Sequence, residues 1–205
     1  GPSFEGAIHD LPEDAVLAPP SLRRQAQLLA WRPDLSIEPV RGNVDTRLEK
    51  LEDQGWHGMV LAEAGLRRLG RAEAITQRFP AEIMLPAVGQ GALGVATTDE
   101  NEELADLLAE VLEELEQRAE TAAERAMLRR LEGGCQVPVG AWGRIEEGTV
   151  HLDGCIAALD GSEIVRNALT GEPEDAESIG VHLAEYLLAR GGRSILEAVR
   201  EQVDL

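Results

Sequence analysis

Along the first part of the chain the hydrophobic positions switch repeatedly between two periods. Ala15-Val16-Leu17-Ala18 is a short continuous apolar run, as in a buried strand, and residues 21–31 then carry Leu22, Ala26, Leu29 and Ala30 at helical spacing. The alternation repeats twice. Ile37-Glu38-Pro39-Val40 precedes a helix over about 44–51, and Met59-Val60-Leu61-Ala62 precedes a short helix over about 64–69 that Gly70 ends. Strands that alternate with helices predict a parallel sheet with right-handed crossovers, whose ligands sit at the carboxyl ends of the strands.

The pattern then changes. Residues 85–96, Leu-Pro-Ala-Val-Gly-Gln-Gly-Ala-Leu-Gly-Val-Ala, contain no charge, so the segment is expected to be buried. From 99 to about 117 the spacing predicts one amphipathic helix, with Leu104, Leu107, Leu108, Val111, Leu112 and Leu115 on one stripe and a solvated acidic face. A further helix over about 119–131 should stop at Gly133-Gly134. Strands near 140–145, 149–158 and 163–169, followed by a helix over about 176–190, predict a separate α+β domain with a small antiparallel sheet.

Composition narrows the class. With 205 residues, 43% hydrophobic, the chain is long enough for one large or two small cores, which excludes a disordered or fibrous chain. No apolar run approaches the roughly 18 residues that span a bilayer, and Gly1-Pro2-Ser3-Phe4-Glu5 lacks the regions of a signal peptide; a cytoplasmic, membrane-free protein is expected. A formal charge of −19 argues against nucleic acid and anionic membranes as partners. Lys50 is the only lysine, and arginine supplies the remaining basic residues. A lysine-poor acidic surface suits a salty cytoplasm, although high genomic GC content also favours arginine. Cys135 and Cys155 are expected to be reduced, and Cys155, in a strand-like run, to be a buried apolar residue. The histidines at 9, 57, 151 and 182 are scattered, so no metal site is expected.

Three places carry chemistry. Ser21-Leu22-Arg23-Arg24 stands where the first strand turns into its helix, Arg41-Gly42-Asn43-Val44-Asp45-Thr46-Arg47 follows the second strand, and Ala64-Gly65-Leu66-Arg67-Arg68 follows the third. Helix N-termini offer free N–H groups, and guanidiniums grip carboxylates in forked pairs. One arginine pair alone reads as solvated surface. Three arginine-bearing strand ends on one sheet edge read as a polyanion site inside an acidic protein. Leu131-Glu132-Gly133-Gly134-Cys135-Gln136-Val137-Pro138 sets a cysteine on a glycine turn, where it is either a small apolar residue or a chemically used one.

With Leu85-Pro86-Ala87-Val88-Gly89-Gln90-Gly91-Ala92, the Ser21, Arg41 and Cys135 segments resemble, in order and spacing, the hydroxymethylbilane synthase (porphobilinogen deaminase) family. The resemblance runs from about Leu11 through nearly the whole chain. It implies a periplasmic-binding-protein-like α/β domain with a parallel-rich sheet at 11–85, a crossover segment and acidic helix at 86–118, and a cofactor-carrying α+β domain with an antiparallel sheet at 119–205. It further implies a transferase of tetrapyrrole and heme biosynthesis, joining porphobilinogen units on a dipyrromethane primer thioether-linked to Cys135. Ser21, Arg23, Arg24, Arg41 and Arg47 match cofactor-binding positions, and Arg68 and Gln90 match substrate contacts; porphobilinogen and oligopyrrole polycarboxylates are the implied partners.

The family's first domain, with its H-S-x-K-D motif and catalytic Asp, has no counterpart here, since only Gly1 to Asp10 stand before residue 11. Residues 1–10 read as a tail or remnant, with Gly1-Pro2 fitting a tag-cleavage scar. The chain is therefore expected to be weakly active or inactive alone, and to self-associate or dock on a partner that supplies the domain. Ala18-Pro19-Pro20 replaces the family's usual Gly-Thr-Ser, and Thr97 stands where Arg is common. Those departures keep open a shortened, non-catalytic homologue that binds pyrrole polycarboxylates, and a plain small-anion-binding domain.

Overall fold

A computed structural model describes residues 7–98, 100–132 and 137–202. The first unit is built on a small parallel sheet. Strand β1 (Val16–Ala18) lies between β2 (Ser36–Ile37) and β3 (Gly58–Met59), with Leu17 opposite Ile37 on one side and Gly58 on the other. The strands are shorter than the apolar runs: Pro19 and Pro39 supply no N–H to a ladder. Helices α1 (Leu22–Trp31), α2 (Val44–Asp53) and α3 (Glu63–Arg68) follow their strands as expected. The core of this unit gathers Leu11, Leu17, Leu28, Leu35 and Val60.

The uncharged segment after Met84 is only half buried. Leu85 is fully enclosed, but Leu93 and Val95 are 78% and 62% exposed, which corrects the expectation of burial throughout. The single helix expected from 99 is also corrected. Helix α4 (Glu102–Leu112) stops, Glu113 is extended, and α5 (Leu115–Arg130) begins. Acidic residues are unfavourable at a helix C-terminus and favourable at an N-terminus, so the Glu113-Glu114 pair sits better at the start of α5 than inside one long helix. Arg118 reaches back to Glu113 at 3.0 Å. No residue of α4 is buried; Leu107, Val111 and Leu112 face outward.

The second unit is an antiparallel meander of β4 (Val139–Glu146), β5 (Thr149–Ala157) and β6 (Ile164–Gly171). Glu147 and Gly148 both take positive φ between β4 and β5, the geometry of a two-residue hairpin turn. One face is covered by α5 and α6 (Ala176–Leu187), which approach so closely that a Cβ on Gly180 would lie 2.2 Å from the Ala123 carbonyl oxygen. Met127, Leu152, Ile156, Leu183 and Leu187 fill the space between. The helix expected to about residue 190 keeps helical backbone angles until Arg190, where Gly191 turns the backbone at φ 112, and a further helix, α7 (Arg193–Gln202), buries Ile195, Leu196 and Val199.

The other face of the meander meets the first unit. Arg166 donates to the carbonyls of Ala81 and Glu82, both at 2.6 Å, the Ala141 N–H donates to the Pro86 carbonyl at 3.1 Å, and the Gln25 side chain donates to the Leu159 carbonyl at 3.2 Å. Gly161 makes the closest approach, its position leaving no room for a Cβ beside Leu29 and Ala30.

Candidate functional site

Pro19 and Pro20 end β1 and present Ser21 as the cap of α1, its Oγ accepting from the Arg24 N–H at 3.4 Å. The first turn of α1 therefore holds Arg23 and Arg24 and no acidic residue, so cations stand at the positive end of the helix. That placement is unfavourable unless an anion joins them. Arg24 donates to the Val60 carbonyl at 3.1 Å, and Arg23 to Gln90 Oε1 at 3.4 Å. Asn43 caps α2 in the same way, accepting from the Thr46 N–H at 2.9 Å, and the next residue is Arg47.

The electrostatics of this corner are uncompensated. Burial pushes the Arg24 pKa down to about 10, with the positive charges of Arg23 and Arg47 adding to the effect. Burial also lowers that of Arg23. The Nε atoms of Arg23 and Arg47 are buried without a hydrogen-bond partner. Among the described residues, no carboxylate lies within ion-pair distance of Arg23, Arg24 or Arg47, although the chain carries a net charge of −19. Half-buried guanidiniums with buried, unpartnered Nε–H donors form a site for an anion.

A cavity of about 480 Å³ opens beside them, lined by Arg23, Arg24, Gln90 and Trp142 together with apolar residues such as Leu17, Met59, Phe79 and Met84. Glu63 also lines it, but its carboxylate is held by Arg67 at 2.6 Å and Arg78 at 2.8 Å, which keep its pKa down at about 2. The structure thus brings Arg23, Arg24 and Gln90 together and sets Arg47 in the electrostatic neighbourhood of Arg24. Arg41 and Arg68 are exposed and do not line the cavity, and the Oγ of Ser21 serves the helix cap. Cys135 lies outside the described residues. Cys155 is a free, fully buried thiol that burial pushes up to about 11.

Two participants escaped the reading of the sequence. Glu124 is a buried carboxylate that accepts from the Gly89 N–H at 2.5 Å and the Gly143 N–H at 2.7 Å, fixing the turn that carries Gln90 to the meander. Burial raises its pKa, and the two N–H donors oppose that rise. A signal existed: Glu120 and Glu124 share a helical stripe with Met127 and Leu131. Trp142 carried no such signal.

Residues 3–106 match the family model described as "Porphobilinogen deaminase, dipyromethane cofactor binding domain", and residues 119–189 match "Porphobilinogen deaminase, C-terminal domain". The chain belongs to the porphobilinogen deaminase family. It is 50% identical over 193 residues to the porphobilinogen deaminase of Desulforudis audaxviator, covering 94% of this chain and 62% of that protein. With the porphobilinogen deaminase of Pelotomaculum thermopropionicum it shares 47% identity over 195 residues, 95% of this chain and 62% of the relative. It thus spans less than two thirds of the length of these porphobilinogen deaminases. The architecture, a parallel sheet followed by a separate antiparallel one, accords with membership of this family.

Proposed function

We propose that this chain is the second and third domains of a hydroxymethylbilane synthase, which joins porphobilinogen units into a linear tetrapyrrole on a dipyrromethane primer bound through Cys135. The observation that carries the reading is the trio Arg23, Arg24 and Arg47, half-buried, with Arg24 repelled by both of the others and, among the described residues, no carboxylate partner for any of them, in an acidic protein of this family. Each pyrrole of such a chain brings an acetate and a propionate, so the substrate supplies the missing carboxylates.

The residues present fit the primer. Arg23 and Arg47 would hold its carboxylates through their unpartnered Nε–H donors and Arg24 through the guanidinium N–H groups that it does not give to Val60, with Ser21 and the exposed Arg41 completing its contacts. Arg68 and Gln90 would meet the incoming substrate. The primer supplies the free α-carbon to which new units are added. This chain's own residues bind and orient carboxylates and draw a polyanion into a net-negative protein. Loss of ammonia from porphobilinogen develops positive charge on the pyrrole and needs a nearby carboxylate. By resemblance that carboxylate belongs to the part of the relatives which this chain does not span, so the chain alone is weakly active or inactive. The exposed Leu93, Val95, Leu107 and Val111 support docking of that part, or of a second copy, on the 93–112 stretch. A cytoplasmic setting, where thiols stay reduced, accords with the free Cys155.

Pro19-Pro20 and Thr97 favour one rival, a shortened homologue that binds pyrrole polycarboxylates without catalysis. The test is the mass of the protein made, together with the N-terminal part of a relative, in cells that produce porphobilinogen. A dipyrromethane adduct on the Cys135 peptide, and porphobilinogen consumption restored by adding the N-terminal part of a relative, are the expected results. An unmodified Cys135, or an adduct on Cys155, overturns the proposal.

A further inference from the structure

The cavity beside Arg23 and Arg24 has an aromatic wall that comes from the other unit of the protein. Trp142 sits on β4, the strand that follows Cys135 in the chain, opposite Asp153 of β5. Its neighbour Ala141 points into the helix-covered core, so the indole projects from the opposite face of the meander, toward the first unit. It is 37% exposed and lines the same cavity as Arg23, Arg24 and Gln90.

The ring is held in place without being buried. The Arg144 guanidinium lies 4.4 Å from the ring centroid, and Arg144 is itself clamped by Glu146 and Asp153, each at 2.6 Å. Arg166, 3.9 Å from Asp153, ties the same sheet face to the Ala81 and Glu82 carbonyls at the edge of the cavity. A cation fixed against an indole by two carboxylates orients the ring and draws electron density from it. Such a ring is a good stacking surface for an electron-rich heterocycle.

We propose that Trp142 is a ligand-binding residue of this site, its indole stacking on a pyrrole ring whose carboxylates Arg23 and Arg24 hold. The inference rests on the polycarboxylate reading of the arginine corner and adds the recognition of the ring itself. Arginines alone select charge; an aromatic wall selects a planar ring that carries the charge. A pyrrole then binds more tightly than an aliphatic dicarboxylate of equal charge.

The experiment is a titration of the full chain with porphobilinogen, in a Trp31→Phe/Trp56→Phe background where Trp142 is the only tryptophan of the three. The expected result is a saturable change in Trp142 emission. Glutarate at equal concentration and ionic strength gives none. Trp142→Ala should weaken porphobilinogen binding roughly two- to tenfold, the range of aromatic pair contributions, while Trp142→Phe restores most of it. Thermal melting of both variants checks the fold, and Trp142→Phe keeps the test decisive if Trp142→Ala melts early. Binding that Arg24→Ala weakens but that leaves Trp142 emission and the Trp142 variants unchanged overturns the stacking role and leaves the arginine site standing. Absence of any porphobilinogen binding overturns both.

Discussion

The side-chain amide of Gln27 pairs with the backbone of Leu85 on both sides, accepting from its N–H at 2.7 Å and donating to its carbonyl at 3.1 Å. Both residues are buried, Gln27 at 2% exposure. The pair does what a neighbouring strand would do for Leu85 and fixes the start of the segment that delivers Gln90 to Arg23.

Gln27→Leu keeps the bulk and removes the partners. Each stranded backbone group costs about 1–3 kcal/mol, so urea denaturation should show a clearly lower midpoint with little change in slope. A midpoint equal to that of the parent would mean that water or backbone rearrangement satisfies Leu85 instead.

Removal of a guanidinium from the half-buried arginine corner should be felt in binding before stability. Arg23→Ala, Arg24→Ala and Arg47→Ala are each expected to weaken porphobilinogen binding about ten- to hundredfold, the loss of one charge-assisted pair. Arg41→Ala and Arg68→Ala, at exposed positions, should cost less. Arg193→Ala, on α7, serves as the outside control. Equal losses at every position in calorimetric titrations at fixed salt would show that net charge alone is at work.

Cys155 gives a pH dependence with a defined sign. Its thiol is raised by burial from an ordinary 9.0 to about 11, so between those values the unfolded chain has released the proton and the native chain still holds it. The native state binds more protons in that window, and stability falls as pH rises through it, by about 2–3 kcal/mol in total. Cys155→Ala should flatten this part of the stability profile. Below pH 9 the native thiol should also resist iodoacetamide and react only after denaturation, as peptide mass mapping will show.

Gly161 sits at φ 72 in the turn between β5 and β6, where an added Cβ would lie 2.3 Å from the Ala30 nitrogen. Gly161→Ala should force that turn off α1 and destabilise the protein by about 1–3 kcal/mol. Proteolysis within residues 157–164 should become faster. Gly148→Ala, at φ 79 with open space around it, carries backbone strain without the clash and should cost less.

The sequence by itself determined the elements whose signals are local. The βαβαβ alternation, the helices that follow each strand, the meander after Val137 and the burial of Cys155 follow from spacing, side-chain chemistry and hydrophobic period, which act within a few residues. Tertiary structure decided what depends on distant partners. The break at Glu113 balances two helix dipoles against one acidic run, and the exposure of Leu93 and Val95 depends on what packs beside them. The approach of Arg47 to Arg24 joins two strand ends, and the clamp of Glu124 on Gly89 and Gly143 joins a helix to two loops. Trp142 is the sharpest case. Nothing near it in the chain marks it, and it reaches the cavity only because the outer face of the meander is hydrogen-bonded onto residues 81–86 of the other unit.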